Sequence, residues 1–257
     1  MHGNIYRQKY RDHTHLAANT SNGSQYSDIE SCLNRNSTNQ SVEKEILGLL
    51  ALLEKKDPYS LKHSIRVGRY AAMLAYALQL SSGVIYQSYI CGLLHDIGKI
   101  MTPTRILTKN GPLTEEEFEV IQQHSAASAQ ICYFSPLLRP LAPILEAHHE
   151  REDGRGYPNH LRGKGIPLVA RILAVADALD AMTSSRSYRK HMPLPKVRSI
   201  LLDGAGTQWD KSVVFVALKL LSKGCFSEAL YPTWEPYNYG VRSFHYDLQE
   251  ETSFCAS

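Results

Sequence analysis

Apolar and polar residues recur with a helical period along most of this chain. From Ser41 onward, apolar side chains return every three or four residues, which places them on one face of an α-helix. The pattern predicts helices over residues 41–55, 60–79, 82–96, 114–124, 137–150, 166–182, 194–203 and 210–222. Ser41 is a suitable N-cap for the first helix, and Thr114 with Glu117 has the spacing of a capping box. Segments with the period-two alternation of β-strands are scarce, so the sequence predicts an all-α fold.

The distribution of polar residues divides the chain into three parts. Residues 1–40 are rich in Asn, Ser, Gln, Thr and His, and such a segment buries too little apolar surface to offset its ordering entropy. We therefore predict a disordered polar tail over 1–40, a helical domain over 41–223 and an irregular C-terminal extension over 224–257. A docking role is the alternative for the tail. The extension can pack back onto the domain, at a place that the sequence does not specify.

Composition narrows the class of protein. The 257 residues are 43% hydrophobic, enough for a sizeable core, and a net charge of +3 without a dense Lys/Arg stripe argues against a nucleic-acid polymer as partner. No stretch reaches the roughly 18–20 apolar residues of a membrane span, and no signal peptide opens the chain. Five widely spread cysteines without a CxxC pair argue against a disulfide framework and for a reducing compartment. We expect a cytoplasmic protein.

Histidines and aspartates among the apolar helical positions carry the candidate chemistry. Taken singly, each has an ordinary interpretation as a surface histidine, a cap or a salt-bridged aspartate. Together they would place five imidazoles and two carboxylates inside a helical bundle, and metal coordination compensates the cost of burying them. The candidate metal ligands are His63, His95, Asp96, His124, His148, His149 and Asp177.

The mixture of imidazole and carboxylate suits iron, manganese, zinc and similar ions. Adjacent residues on a helix point about 100° apart, so the doublets His95-Asp96 and His148-His149 can each reach two ions. Asp96 can bridge two ions beside a hydroxide, which is a nucleophile at neutral pH because the metals lower the pKa of bound water. Lys99, four residues after His95, would share its helical face and suits an anionic substrate such as a phosphate ester. The alternative for Lys99 is an ordinary helix-end lysine.

Several separated blocks resemble, in order and spacing, the HD-GYP phosphodiesterases. This family is a bacterial branch of the HD metal-dependent phosphohydrolase superfamily that hydrolyses cyclic di-GMP, and the resemblance covers about residues 57–217. The blocks that carry it are His63-Ser-Ile-Arg66-Val, Gly92-Leu-Leu-His95-Asp96-Ile-Gly-Lys99-Ile, Leu113-Thr-Glu-Glu, His148-His-Glu-Arg, Asp153-Gly-Arg-Gly-Tyr-Pro, Ala170-Arg-Ile-Leu-Ala-Val-Ala-Asp177-Ala-Leu-Asp180-Ala-Met-Thr-Ser and Tyr188-Arg189.

The resemblance implies a multi-helix HD-type bundle around a dinuclear metal site with all seven candidate residues as ligands. It implies two divalent transition-metal ions, iron or manganese before zinc, nickel or cobalt, and catalytic roles for Asp96 and Lys99. It also places Tyr157, Arg186 and Arg189 against the dinucleotide, where an aromatic face can stack on guanine and guanidinium groups can bind phosphates. The alternative for the two arginines is solvated helix-end charge.

The chain departs from the family pattern at six positions. Tyr59 stands where some members carry a glutamate that supports a third metal, so we expect two metals. The other departures are Met101, Thr104, Ser125, Glu152 and Arg189. None of the six is a candidate ligand, but Ser125 and Glu152 can alter substrate fit or loop order.

The sequence therefore predicts hydrolysis of cyclic di-GMP to linear pGpG, and by a second cut to GMP, through attack by a metal-bridging hydroxide. One alternative is an HD hydrolase of another cyclic dinucleotide. The other is a signalling module that binds a nucleotide or a partner and hydrolyses little. The presence of every ligand and of Lys99 favours the enzyme. A regulatory protein and a second copy of the chain are candidate partners. Self-association would use the helix over residues 42–55, although we prefer intradomain packing for that helix.

Overall fold

The computed structural model describes residues 36–109, 111–184 and 191–226, with side chains from residue 40 onward. Short 3-10 helices cover Ile97–Met101, Arg139–Leu141 and Gly163–Gly165, and an isolated β-bridge joins Ala205 to Trp209. The fold of the described residues is all-α, as predicted. Its α-helices are α1 (Asn36–Lys56), α2 (Pro58–Ala77), α3 (Ser82–Leu94), α4 (Thr104–Leu107), α5 (Glu115–Phe134), α6 (Ala142–Glu146), α7 (Leu168–Thr183), α8 (Leu194–Gly204) and α9 (Lys211–Ser222).

Side-chain caps determine where several helices begin. Asp57 caps α2 by accepting from the backbone N–H of Tyr59, at 3.1 Å. Thr114 and Glu117 form the predicted capping box at the start of α5, each side chain bonding the other residue's backbone N–H. Asp210 caps α9 through the first backbone N–H groups of that helix. Each cap supplies an acceptor to donors that have no partner within the helix.

Helix α2 lies at the centre of the bundle, packed against α3 and α7. A close approach of α2 and α3 depends on two glycines, because a Cβ added to Gly92 would lie 2.4 Å from the Cα of Gly68. Around this contact the core is filled by fully buried side chains such as Leu74, Leu94 and Leu173. The candidate ligands on α2 and α7, and those that follow α3, are therefore positioned by a closely packed core.

Two predicted helices differ in the structure. Residues 137–150 do not form one helix, because a 3-10 turn precedes α6 and α6 ends at Glu146. Pro140 and Pro143 explain this interruption, since proline lacks an N–H donor and restricts the residue before it. Helix α5 continues to Phe134, beyond its predicted end at His124. The expectation that every candidate ligand lies on a helix is wrong for the two doublets, which lie in turns after α3 and α6.

The ends of the described segments bear on the predicted domain boundaries. Helix α1 begins at Asn36, inside the predicted tail, and Ile46 and Leu53 on one of its faces are buried within the domain, whereas Leu47 and Leu52 are exposed. Phe226, near the start of the predicted extension, packs onto α2, since its ring centroid lies 4.9 Å from that of Tyr70. The rest of both segments, residues 1–35 and 227–257, lies outside the described residues.

The sequence analysis also predicted that no segment spans a membrane and that the cysteines form no disulfide framework. Among the described residues, no helix is both long and apolar enough to span a bilayer. Cys91 and Cys132 are buried free thiols, whereas Cys225 is disulfide-bonded.

Candidate metal centre

Three histidines form the first of two groups, which we call the tri-histidine group. His124 comes from α5, and His148 and His149 come from the turn after α6. The Nε2 atom of His124 lies 3.2 Å from Nε2 of His148 and 3.1 Å from Nε2 of His149. His124 and His148 are almost completely buried. Three ring nitrogens thus converge on one point.

The second group, which we call the mixed group, joins three different helices. His63 comes from the middle of α2, His95 from the residue that follows α3, and Asp177 from α7. The Nε2 atom of His63 lies 3.2 Å from Oδ1 of Asp177. The ring centroids of His63 and His95 are 5.1 Å apart. Two imidazoles and a carboxylate therefore offer one ligand set.

Asp96 lies between the two groups. Its Oδ1 atom is 3.3 Å from Nε2 of His124 in the tri-histidine group. Its Oδ2 atom is 3.4 Å from Nε2 of His95 and 3.6 Å from Nε2 of His63, both in the mixed group. Each carboxylate oxygen thus faces a different group, which is the geometry of a bridging ligand.

The hydrogen bonds at the far side of the rings determine which nitrogen is free. The Nδ1 atoms of His95, His124 and His148 lie 2.8, 2.6 and 2.5 Å from backbone carbonyl oxygens three residues earlier in the chain. A carbonyl oxygen only accepts, so each Nδ1 carries the proton and each Nε2 presents a lone pair. Lone pairs that face one another repel unless a cation lies between them. This donor set fits a bound metal ion.

The charge states of the tri-histidine group also fit metal ligation. Burial, followed by the neighbouring His124, lowers the pKa of His149 to about 3. Burial and the other histidines hold the pKa of His148 well below its ordinary value. Burial lowers the pKa of His124 as well. These imidazoles are neutral at physiological pH, which is the form that binds a metal.

The mixed group has a different charge distribution. Burial acts to lower the pKa of His63, but hydrogen bonds with Asp177 and Asp180 outweigh it and raise the pKa to about 9. Burial acts to raise the pKa of Asp96, but Lys99 and the nearby histidines outweigh it and hold the pKa well below the usual range. The carboxylates are ionised and His63 is protonated, so a metal ion here would replace a proton.

Asp180 is a site residue to which the sequence analysis gave no role. Its carboxylate has no exposed surface and accepts from Nδ1 of His63 at 2.7 Å. It also accepts from Nε and Nη2 of Arg66, at 2.5 and 3.0 Å. The signal was its spacing, because residues three apart on a helix share a face and Asp180 lies three after Asp177.

Lys99 reaches the centre by a route that differs from the predicted one. Helix α3 ends at Leu94, so Lys99 does not share a helical face with His95. Instead it lies in the 3-10 helix Ile97–Met101, and its Nζ is 2.5 Å from Oδ2 of Asp96. Its side chain is 22% exposed, so Lys99 stands at the edge of the centre.

Tyr157 lies against the tri-histidine group. Its ring centroid is 4.8 Å from that of His149, with the planes tilted by 33°. The loop that carries it folds onto the turn after α6, since Glu150 is buried and accepts from the backbone N–H groups of Asn159 and Leu161, at 2.6 and 3.1 Å. Burial raises the pKa of Tyr157, so the ring is neutral. The predicted substrate residues Arg186 and Arg189 lie outside the described residues.

Five of the six departures from the family pattern fall within the described residues, and Arg189 lies outside them. Tyr59, at the start of α2, is 37% exposed and offers no carboxylate. Met101 and Thr104 are exposed. Ser125 is buried in α5 and donates to the carbonyl of Gln122 at 3.2 Å. Glu152 is partly buried, and its Oε1 atom has no hydrogen-bond partner among the described residues.

The fold and the donor set define the class of protein, an all-α domain with a candidate metal-binding site. The HD domain family model matches residues 49–213, and the chain belongs to this family. A cyclic di-GMP phosphodiesterase of Thermotoga maritima is 39% identical over 179 residues, covering 68% of this chain and 49% of the relative. The 3'3'-cGAMP-specific phosphodiesterase 3 of Vibrio cholerae is 38% identical over 168 residues, covering 65% of this chain and 36% of the relative. The chain spans about half the length of these relatives or less.

Solved structures show the same fold at lower sequence identity. Bd1817, an HDG"Y"P protein from Bdellovibrio bacteriovorus, matches with a TM-score of 0.52 and 17% identity, over 78% of this chain and 70% of that one. The cyclic GMP-AMP specific phosphodiesterase V-cGAP3 of V. cholerae matches with a TM-score of 0.54 and 16% identity, over 82% of this chain and 53% of that one. At this identity the likeness concerns the fold alone.

Proposed function

We propose that this chain is a metal-dependent phosphodiesterase that hydrolyses cyclic di-GMP to linear pGpG and, by a second cut, to GMP. The observation that carries the proposal is Asp96, whose two oxygens face the tri-histidine group and the mixed group at 3.3 to 3.6 Å. A structural salt bridge does not require five buried imidazoles, three of which present Nε2 lone pairs to the same centre. A pair of cations, by contrast, requires such a set of neutral imidazoles and carboxylates as its ligands.

In this proposal the two groups hold one divalent ion each, and Asp96 is shared. Manganese and iron suit a set of imidazoles and carboxylates without thiolate, and zinc, nickel or cobalt are further candidates. When bound, the two ions supply Lewis acidity at phosphorus and lower the pKa of water. Protonated Nδ1 atoms on the far side of the rings keep the Nε2 lone pairs aimed inward.

We assign to Lys99 the electrostatic stabilisation of the transition state. Its ammonium pairs with Asp96 at 2.5 Å and its side chain is partly exposed, so it can reach a phosphate oxygen beside the centre. Asp96 raises the pKa of Lys99 despite burial, which keeps the side chain charged. A fixed positive charge stabilises the negative charge that develops on the phosphate during attack.

Tyr157 is the residue that we assign to substrate orientation. Its ring is fixed against His149, and the loop around it is tied down by Glu150. An aromatic face beside the centre can stack on a guanine base and so place the adjacent phosphodiester over the metals. We also propose Arg186 and Arg189 as phosphate contacts, and only the sequence supports this assignment.

A second candidate substrate follows from the relatives. Proteins of similar identity are named for 3'3'-cGAMP rather than cyclic di-GMP, and one stacked base does not distinguish the two dinucleotides. A nucleotide-binding module with little turnover is the non-enzymatic alternative. The cytoplasmic location, and a regulatory protein or second copy as partner, remain predictions from the sequence.

Product analysis tests the proposed function. Protein reconstituted with manganese, or with iron under anaerobic conditions, is incubated with cyclic di-GMP, 3'3'-cGAMP and a third cyclic dinucleotide, and products are separated by anion exchange. We expect pGpG from cyclic di-GMP, no product from Asp96→Ala, and wild-type product from the exposed control His191→Ala. Metal-loaded protein that cuts none of the three would favour the binding module.

A further inference from the structure

One buried serine holds the turn of His95 and Asp96 to helix α5. Ser128 has no exposed surface, and its hydroxyl donates to the carbonyl oxygen of His95 at 2.7 Å. The same hydroxyl accepts from the backbone N–H of Gly98 at 2.8 Å. These two backbone groups lie on either side of Asp96 in the chain. A single side chain thus closes the turn around the proposed bridging ligand.

The two backbone groups need this partner because regular structure changes there. Helix α3 ends at Leu94, and the last carbonyls of a helix have no N–H partner within it. Gly98 lies in the first turn of the following 3-10 helix, where N–H groups lack an acceptor for the same reason. A hydroxyl has one donor and two acceptor positions, which matches one carbonyl and one N–H.

The turn also rests directly on the backbone of α5. A Cβ added to Gly98 would lie 2.1 Å from the carbonyl oxygen of His124 and 2.6 Å from the amide nitrogen of Ser128. His124 and Ser128 are four residues apart on α5, so they lie on the same face, one turn from each other. The serine therefore ties the turn that carries Asp96 to the helix that carries His124.

We propose that Ser128 is a positioning residue that sets the separation of Asp96 and His124, and thereby the affinity of the metal pair. This inference rests on the proposed metal centre. Asp96 Oδ1 lies 3.3 Å from His124 Nε2, and the hydroxyl bonds on either side of Asp96 prevent the turn from sliding along α5. Ligands of a metal pair must be held within a fraction of an ångström, and residues that orient them affect metal affinity.

Titration of the metal-free protein with Mn²⁺, followed by calorimetry, tests this role without relying on activity. We expect Ser128→Ala to raise the dissociation constant of at least one of the two ions about 10–100-fold. The matched control is Ser125→Ala. Ser125 is equally buried on the same helix, but its hydroxyl donates within α5, to the carbonyl of Gln122. The control should titrate like the wild type.

A second pair of variants distinguishes the effect of the hydroxyl on metal affinity from the effect of packing. The same pair provides the test if Ser128→Ala does not fold. Ser128→Thr and Ser128→Val have nearly the same shape, and the threonine alone keeps the hydroxyl. We expect the threonine variant to bind the metal pair at least about tenfold more tightly than the valine variant. Equal affinities in this pair, or equal losses in Ser128→Ala and Ser125→Ala, would overturn the role of Ser128 and leave the proposed function standing. Wild-type protein that binds no Mn²⁺ would overturn both.

Discussion

The Nδ1 atom of His63 lies 2.7 Å from Oδ2 of Asp180, a carboxylate without exposed surface that joins α7 to α2. This contact fixes the plane of the imidazole and aims its Nε2 atom at Asp177 and Asp96. Arg66, three residues further along α2, donates to both oxygens of the same carboxylate. If His63 ligates a metal as proposed, Asp180 is the outer carboxylate that orients this ligand.

Replacement of Asp180 by Asn should destabilise the metal-free protein. The change removes the negative charge that pairs with Arg66 and His63 and replaces one acceptor oxygen by an NH2 donor, which costs about 3 kcal/mol, the low end for such pairs because the Arg66 side chain is 19% exposed. Urea unfolding of the metal-free protein measures the loss. The exposed control Asp203→Asn should change stability by less than about 0.5 kcal/mol. Equal effects of the two changes would contradict the assigned role of Asp180.

Metal binding should release a proton from His63. The pKa of His63 is raised to about 9 in the metal-free protein, so at neutral pH the imidazole is protonated and must lose that proton to ligate. Affinity should therefore rise as the pH increases toward 9. Calorimetry in two buffers of different ionisation enthalpy measures the release. A binding enthalpy that is independent of the buffer would exclude it.

The same raised pKa has an effect on stability with the opposite dependence on pH. Because the folded-state pKa of His63 is about 9 and its ordinary value is 6.5, its contribution to the stability of the metal-free protein is fully present below pH 6.5. That contribution is lost as the pH rises through 9. Thermal unfolding of the wild type and of His63→Gln across this range should converge at high pH, and parallel curves would show that His63 is not the source.

Replacement of Lys99 by Met should slow turnover while both metals remain bound. Removal of one charge that stabilises a transition state lowers kcat about 100–1000-fold. The control is Lys109→Met, which removes a lysine whose partner, Glu117, lies at the start of α5. Metal content by elemental analysis and kcat on cyclic di-GMP are compared for both variants. Wild-type kcat in Lys99→Met would remove Lys99 from the reaction.

Tyr157 should act on substrate affinity through its ring rather than its hydroxyl. Loss of one aromatic stack costs about 1–3 kcal/mol, so Tyr157→Ala should weaken cyclic di-GMP binding by roughly 5–150-fold. Tyr157→Phe keeps the ring against His149 and should bind like the wild type. Binding is measured in the Asp96→Ala background to prevent hydrolysis. A phenylalanine variant as weak as the alanine variant would assign the effect to the hydroxyl instead.

The sequence predicts the composition of the centre because metal ligation restricts residue types. The seven candidate ligands are far apart in the chain, and the structure brings all of them together around Asp96. Their local conformation was harder to predict. His148 and His149 follow a short helix in a segment that contains Pro140 and Pro143. The apolar residues of this segment keep a helical period although the segment is not one continuous helix.

Hydrogen bonds between distant segments were outside the reach of sequence reasoning. Asp180 and Ser128 have ordinary positions on their helices, and only the packing of α7 on α2 and of the His95 turn on α5 brings their oxygens to His63 and Gly98. Burial is the deciding factor in both cases, because a buried acceptor or hydroxyl must be satisfied by whichever element packs against it.

A stepwise metal titration with turnover followed on the same sample tests the central claim most directly. Mn²⁺ is added to the metal-free protein, and hydrolysis of cyclic di-GMP is measured after each addition together with bound manganese. If Asp96 bridges ions in the tri-histidine group and the mixed group, turnover should appear as the second equivalent binds and reach its maximum at about two ions per chain. Full turnover at one ion per chain, or without metal, would contradict the account.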